Sequence, residues 1–173
     1  MKALVTGSTG FLGANIVREL LKDNIEVRVL VRKNSNRSNL SGLDVEIVEG
    51  DLNDIKSLEL SLTKIDVLYH AAADYRLWTK NPQEMYESNV EGTKKILSVA
   101  LAKNVSKVVY TSSVGTLGNI GDGTPGTETT PVTIEDMVGH YKKSKFLAEK
   151  EAQKAAENGL SVVIVNPSTP RSI

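Results

Sequence analysis

Thr6-Gly7-Ser8-Thr9-Gly10-Phe11-Leu12-Gly13 joins two segments of opposite character. Before it stands Ala3-Leu4-Val5, a short apolar run that reads as a strand. After it come Phe11, Leu12, Ile16, Val17, Leu20 and Leu21, spaced as one face of a helix that stops near Asn24. Within the joint, each glycine has a steric task. Gly7 makes the turn out of the strand, Gly10 lets main chain approach a pyrophosphate, and Gly13 packs the helix against the sheet. The helix start then offers free N–H groups and the positive end of its dipole to phosphates. A plain glycine-rich turn uses the same residue types, but the strand-turn-helix setting favours dinucleotide binding. No Gly-Lys-Ser/Thr follows, so the segment is not a P-loop.

The alternation persists to the other end of the chain. Val27 to Val31, Val45 to Val48, Val67 to Tyr69, Lys107 to Thr111 and Val162 to Val165 read as strands two to six. Their near-continuous Val, Leu and Ile content is that of a parallel sheet covered on both faces. Asn81-Pro82 looks like a cap with proline at the first helical position, opening a helix through Val90, Ile96, Leu97 and Leu101. A last helix is expected from about Asp136 to Glu157, ending at Asn158-Gly159. The fold class is therefore α/β, a doubly wound parallel sheet of about six strands. One long irregular stretch, Gly115 to Thr133, follows strand five at the carboxyl edge, where ligands bind in open α/β sheets.

Composition narrows the function classes. The 173 residues suit one globular domain, and 21 basic against 21 acidic residues leave no electrostatic footprint for nucleic acid or an anionic membrane. Without cysteine there is no disulfide, thiolate nucleophile or Cys-based zinc site. Two histidines without an HExxH pattern make no metal site, and GxSxG is missing as well. No signal-like segment precedes the first strand, so the expectation is a cytoplasmic protein.

Two clusters carry candidate chemistry. An NAD site usually ends strand two with an acidic residue for the adenosine 2′-hydroxyl. Arg32 holds that position here, followed by Lys33 and Arg37. Guanidinium groups pair with a 2′-phosphate, which favours NADP over NAD, with a solvated basic loop as the alternative. The second cluster is Tyr141 and Lys145, one helical turn apart, with Thr111-Ser112-Ser113 at the end of strand five. A nearby lysine cation favours the phenolate and brings a tyrosine toward working pH, while Ser113 would hydrogen-bond the reacting oxygen. Such a Tyr-Lys pair on its own is common by chance.

Taken together, these residues resemble the extended short-chain dehydrogenase/reductases, also called the NAD-dependent epimerase/dehydratase family, over the whole chain. TGSTGFLG is similar to the family's TGxxGxxG. The resemblance implies a Rossmann domain over residues 1–173, with cofactor contacts from Gly7, Thr9, Gly10, Phe11, Leu12 and Gly13. It adds Asp51 and Leu52 at the adenine, Ala71, Ala72 and Ala73 of the HAA segment, and Asn89 of the NVxGT helix. Thr111, Tyr141, Lys145, Pro167 and Ser168 complete the cofactor set, and Ser113, Tyr141 and Lys145 become the catalytic residues. ADYRLW at Ala73 to Trp78 and HYKKSKFLAE around Tyr141 are most similar to hopanoid-associated sugar epimerases and dihydroflavonol-4-reductase-like proteins.

Family members run to about twice the length of one domain, with a substrate-binding part after strand six. The segment Thr169-Pro170-Arg171-Ser172-Ile173 does not resemble its start, so the expectation is a chain without that lobe. Two readings follow: a hydride-transferring enzyme with a small-molecule substrate, or a non-catalytic dinucleotide-binding or interaction module. An uncovered apolar strand six invites self-association, and the resemblance implies a homo-oligomer paired through the helices of Asn89 and Tyr141. Tyr75 and Trp78 fit a substrate pocket and plain packing equally well. His140 reads as a helix-surface or core residue rather than a proton relay, and His70 as packed near the cofactor.

Overall fold

The computed structural model describes residues 1–168, so the expectation about Thr169 to Ile173 lies outside the described residues. Six strands, β1 (Lys2–Thr6), β2 (Glu26–Val31), β3 (Glu46–Glu49), β4 (Val67–His70), β5 (Lys107–Thr111) and β6 (Val162–Val165), form one sheet. Their order is β3-β2-β1-β4-β5-β6, and every pairing is parallel. Chain direction across the sheet reverses at β1, which lies between β2 and β4. In such a sheet the crevice at the carboxyl ends of the strands flanking the reversal is the natural ligand site.

Helices α1 (Phe11–Lys22), α2 (Ile55–Ser61), α3 (Pro82–Tyr86), α4 (Gly92–Ala102) and α5 (Gly139–Glu157) connect the strands. Side chains of β1 alternate between two cores, as the strand pleat requires. Ala3 and Val5 join Val17 and Leu20 of α1 with Val27, Val29 and Val31 of β2. Leu4 joins the opposite core with Leu58 of α2, Ile96 and Leu97 of α4, and Ala148 and Ala152 of α5. Cross-strand register aligns Thr6 with His70 and His70 with Tyr110, so these three polar residues form a row at the carboxyl ends of the central strands.

Three features depart from the sequence reading. Helix α5 begins at Gly139 rather than near Asp136. Thr133 and Asp136 close a capping box around a separate single turn, Ile134–Asp136, and Gly139 then takes a left-handed φ of 82° that breaks continuity. Helix α2 was not expected. Its signals are Asp54, whose carboxylate caps the Lys56 amide at 3.1 Å, and Leu58 and Leu62 at helical spacing. Coverage of the sheet is also uneven: Val162 and Ile164 of β6 pack on the α5 side, whereas Val163 and Val165 are 45% and 40% exposed on the other. Among the described residues no helix is long and apolar enough to cross a membrane.

Candidate cofactor and active site

The glycine turn is built by close approach of main chain to main chain. Gly7 has φ 70°, and a Cβ there would lie 2.7 Å from the Ala71 carbonyl carbon and the Ala72 nitrogen. At Gly13 a Cβ would come within 2.3 Å of the Gly7 carbonyl oxygen. Gly13 therefore lets α1 pack on the turn itself, a closer partner than the sheet expected from the sequence. Gly10 is the N-cap of α1, and no side chain caps that helix. It is exposed, and a Cβ there would meet only the Gly7 carbonyl, at 3.3 Å. Ser8 is fully buried beside it, with a hydroxyl that has no partner. An uncapped helix start, a glycine surface and an orphaned buried hydroxyl together fit a diphosphate. Thr9 gives its carbonyl to Asn39 Nδ2 at 2.9 Å, and Phe11 and the half-buried Leu12 complete the turn.

At the end of β2, Arg32 is exposed and forms no ion pair among the described residues, while its carbonyl accepts from the Ser35 amide and hydroxyl. Arg37 is different, since its guanidinium already pairs with Glu49 at the end of β3. Asp51 is exposed and accepts from the Asn53 amide at 2.8 Å. Leu52 is half-buried against Gly92, where a Cβ would approach Leu52 Cβ to 2.9 Å.

β4 ends at His70, which is fully buried. Its Nδ1 lies 2.7 Å from Thr6 Oγ1 and its Nε2 3.0 Å from Thr93 Oγ1. Burial, with the Lys145 cation as a second cause, pushes its pKa down to about 3. Beyond it the half-buried Ala71, Ala72 and Ala73 run past the glycine turn, and the Ala72 amide donates to Thr6 Oγ1 at 3.2 Å. Asn89, in a π-helical turn (Glu87–Glu91) between α3 and α4, accepts from the Asp74 amide at 2.6 Å. Its amide donates to the Asp74 carbonyl at 2.9 Å and to Ser144 Oγ at 3.0 Å. Asn89 is thus a pin between the β4 loop and α5. Tyr75 and Trp78 farther along that loop are 79% and 75% exposed, so they do not pack within the described chain.

The other wall comes from β5 and α5. Lys145 reaches back into the sheet and is 3% exposed, with Nζ donating to the Thr111 carbonyl at 2.8 Å and to Tyr110 Oη at 3.1 Å. Burial draws its pKa down to about 8, opposed by the charge of Glu149. Tyr141, half-buried one turn earlier, lies in the first turn of α5 and has its carbonyl bonded by Ser144 Oγ at 2.8 Å. Ser113 caps the turn Val114–Thr116, its hydroxyl accepting from the Gly115 amide at 3.1 Å. The Pro167 carbonyl accepts from the Val114 amide at 3.1 Å, with Ser168 exposed just beyond. His140 is exposed and lies 3.2 Å from the Tyr86 hydroxyl.

Three structural contributors escaped the sequence reading: Thr6, Tyr110 and Glu149. Glu149 Oε2 accepts from Ser112 Oγ at 2.5 Å, Thr116 Oγ1 at 2.8 Å and Asn166 Nδ2 at 3.0 Å. Its spacing of i+4 from Lys145 and i+8 from Tyr141 was the available signal.

A 3-2-1-4-5-6 parallel sheet with this glycine turn at its switch point defines a dinucleotide-binding α/β protein. Residues 3–172 match the NAD dependent epimerase/dehydratase family, and the chain belongs to that family. It is 47% identical over 96% of its length to a putative dihydroflavonol 4-reductase from Synechocystis sp., covering 48% of that protein. The solved structure of gox2253 is similar with a TM-score of 0.92 at 46% identity, over 97% of this chain and 51% of that one. Thermus thermophilus UDP-glucose 4-epimerase in complex with NAD is similar with a TM-score of 0.85 at 27% identity, over 96% of this chain and 54% of that one. The chain spans about half the length of the curated relatives it matches.

Proposed function

We propose that this chain is the cofactor-binding and proton-handling part of an NAD(P)-dependent oxidoreductase or epimerase acting on a carbonyl or secondary alcohol. The observation that carries the reading is Lys145, a buried lysine fixed at the carboxyl end of β5, on the helix that also bears Tyr141. The glycine turn at the other side of the same crevice has the surface a diphosphate needs. A bound pyridine nucleotide supplies the hydride. Tyr141 gives or takes the proton at the reacting oxygen, Ser113 orients that oxygen, and Lys145 anchors the ribose and favours the phenolate. Similarity to a reductase and to an epimerase supports flavonol-like and sugar-nucleotide substrates as the two candidate classes.

Arg32 supports a preference for NADP, because it is exposed and unpaired among the described residues, whereas Glu49 competes for Arg37. Calorimetric titration with NADPH and NADH, followed by assays on a carbonyl panel, tests the reading. Tyr141→Phe is expected to retain nucleotide binding and to lower turnover by about 100-fold or more. Arg32→Asp is expected to weaken NADPH by about 10- to 100-fold while leaving NADH nearly unchanged. Nucleotide binding without turnover dependent on Tyr141 would instead support a non-catalytic module.

A further inference from the structure

Beneath the candidate site lies a buried line of polar groups that the proposed chemistry does not use. The cross-strand row Thr6, His70 and Tyr110 is continued by Thr93 of α4, packed against the sheet. All four residues are at most 1% exposed. Thr6 Oγ1 contacts His70 Nδ1 at 2.7 Å, and His70 Nε2 contacts Thr93 Oγ1 at 3.0 Å. The Thr93 hydroxyl also stands near the Tyr110 phenol, and Tyr110 Oη accepts from Lys145 Nζ at 3.1 Å.

A phenylalanine would fill the core as well as Tyr110 does, so the hydroxyl needs another explanation. Its position supplies one. Lys145 forms no ion pair among the described residues, and an ammonium buried to this degree is costly unless oxygens surround it. Two do: the Thr111 carbonyl and the Tyr110 phenol, with the Tyr110 ring 4.8 Å from the nitrogen as a further favourable face.

The chain behind the phenol decides what its oxygen can offer. With His70 neutral and protonated on Nδ1, Thr93 donates to His70 Nε2 and His70 donates to Thr6. Both of these links then have one donor and one acceptor, Thr93 spends its proton on His70 rather than on the phenol, and a phenol lone pair is free to accept from Lys145. Burial raises the Tyr110 pKa and lowers that of His70, so neither group offers a competing charge. The ionisable groups facing Lys145 are His70 from β4, Tyr110 from β5 and Glu149 from α5.

We infer that Tyr110 is a positioning residue for Lys145: standing beside Thr93 at the end of the buried polar row, its hydroxyl holds the ammonium at the carboxyl end of β5 and stabilises the charged form. The importance of that charge rests on the function proposed above, but the test does not. Lysine labelled with ¹³C at Cε is titrated in the full 173-residue chain, the Lys145 signal being assigned by its loss in Lys145→Arg. Wild-type protein is expected to titrate at a midpoint near 8. Tyr110→Phe, which keeps the ring, is expected to lower that midpoint by about one pH unit, as loss of one hydrogen bond to a charged group implies. Thr93→Val is expected to move it in the same direction by less, and it carries the test if Tyr110→Phe does not fold. An unmoved midpoint in Tyr110→Phe overturns the inference, and an unmoved midpoint in Thr93→Val overturns the part of it beyond Tyr110. If the midpoint moves while no pyridine nucleotide binds, the positioning role stands and the oxidoreductase reading falls.

Discussion

His70 is where burial and titration are most tightly coupled at the scale of single residues. Both ring nitrogens are engaged by threonine hydroxyls, the residue is fully buried, and burial pushes its pKa down to about 3. In the unfolded chain the same imidazole takes a proton near its ordinary value of 6.5. Between those two values the unfolded state holds more protons than the native state, so stability falls as pH falls. The expected slope from this residue is about 1.4 kcal/mol per pH unit below 6.5. Urea unfolding of the wild type and of His70→Gln at pH 7, 6 and 5 measures it. The variant starts less stable because the row of hydrogen bonds is broken, but its decline toward acid is shallower by about that amount. Parallel declines would show that His70 is not the acid-sensitive group. Lys145 follows the same sign in a separate, alkaline window. Its lowered pKa means that the native state sheds a proton near 8 while the unfolded state keeps it to 10.5, so the cost of burying this ammonium is relieved as pH rises between those values.

Helix α5 works at the scale of an element, because one of its faces carries Tyr141, Lys145 and Glu149 in successive turns. Glu149 gathers donors from the end of β5, from the turn after it and from Asn166 after β6, so a single carboxylate fixes the segments around Ser113. Glu149→Ala leaves those donors without their acceptor and is expected to cost about 1–3 kcal/mol. It should also speed hydrogen exchange at the Val114 and Gly115 amides, which bond to Pro167 and Ser113. Glu149→Gln keeps one acceptor oxygen and should fall between the two. If Val114 exchange is unchanged in the alanine variant, Glu149 does not hold this loop. Elements of this kind differ in how plainly they read from sequence. The glycine turn was legible because its constraints act within eight residues, and the strands because a dry sheet interior demands apolar runs. Tyr110 and Glu149 were not, since their partners lie 35 and 37 residues away and neither residue type announces the contact. The early start of α5 failed for a local reason: a helical composition around Asp136 says nothing about a left-handed Gly139. Arg37 read as free because its pairing with Glu49 depends on two strands lying side by side.

The whole molecule is a sheet with one well-covered face and one partly open one. Helix α1 covers β1 and β2 on its side, whereas Val163 and Val165 of β6 stay exposed there, next to the half-buried Val109 of β5. Beyond β6 there is no further strand among the described residues, so its outer edge carries unpaired main-chain groups beside an apolar surface. Edges of this kind pair with other chains unless a charge, a proline or a covering element blunts them, and β6 has the sequence Val-Val-Ile-Val. We therefore expect the 173-residue chain to self-associate through β6. The helices of Asn89 and Tyr141 are the alternative contact. Sedimentation velocity over a wide concentration range separates the two. Val165→Lys places a charge on the open face without touching the α5 core, which receives Val162 and Ile164. It should shift the population toward monomer by about tenfold or more in dissociation constant, as removal of one buried valine contact and introduction of like charges imply. Association that survives Val165→Lys but is lost on substituting exposed residues of α4 and α5 would move the interface to those helices.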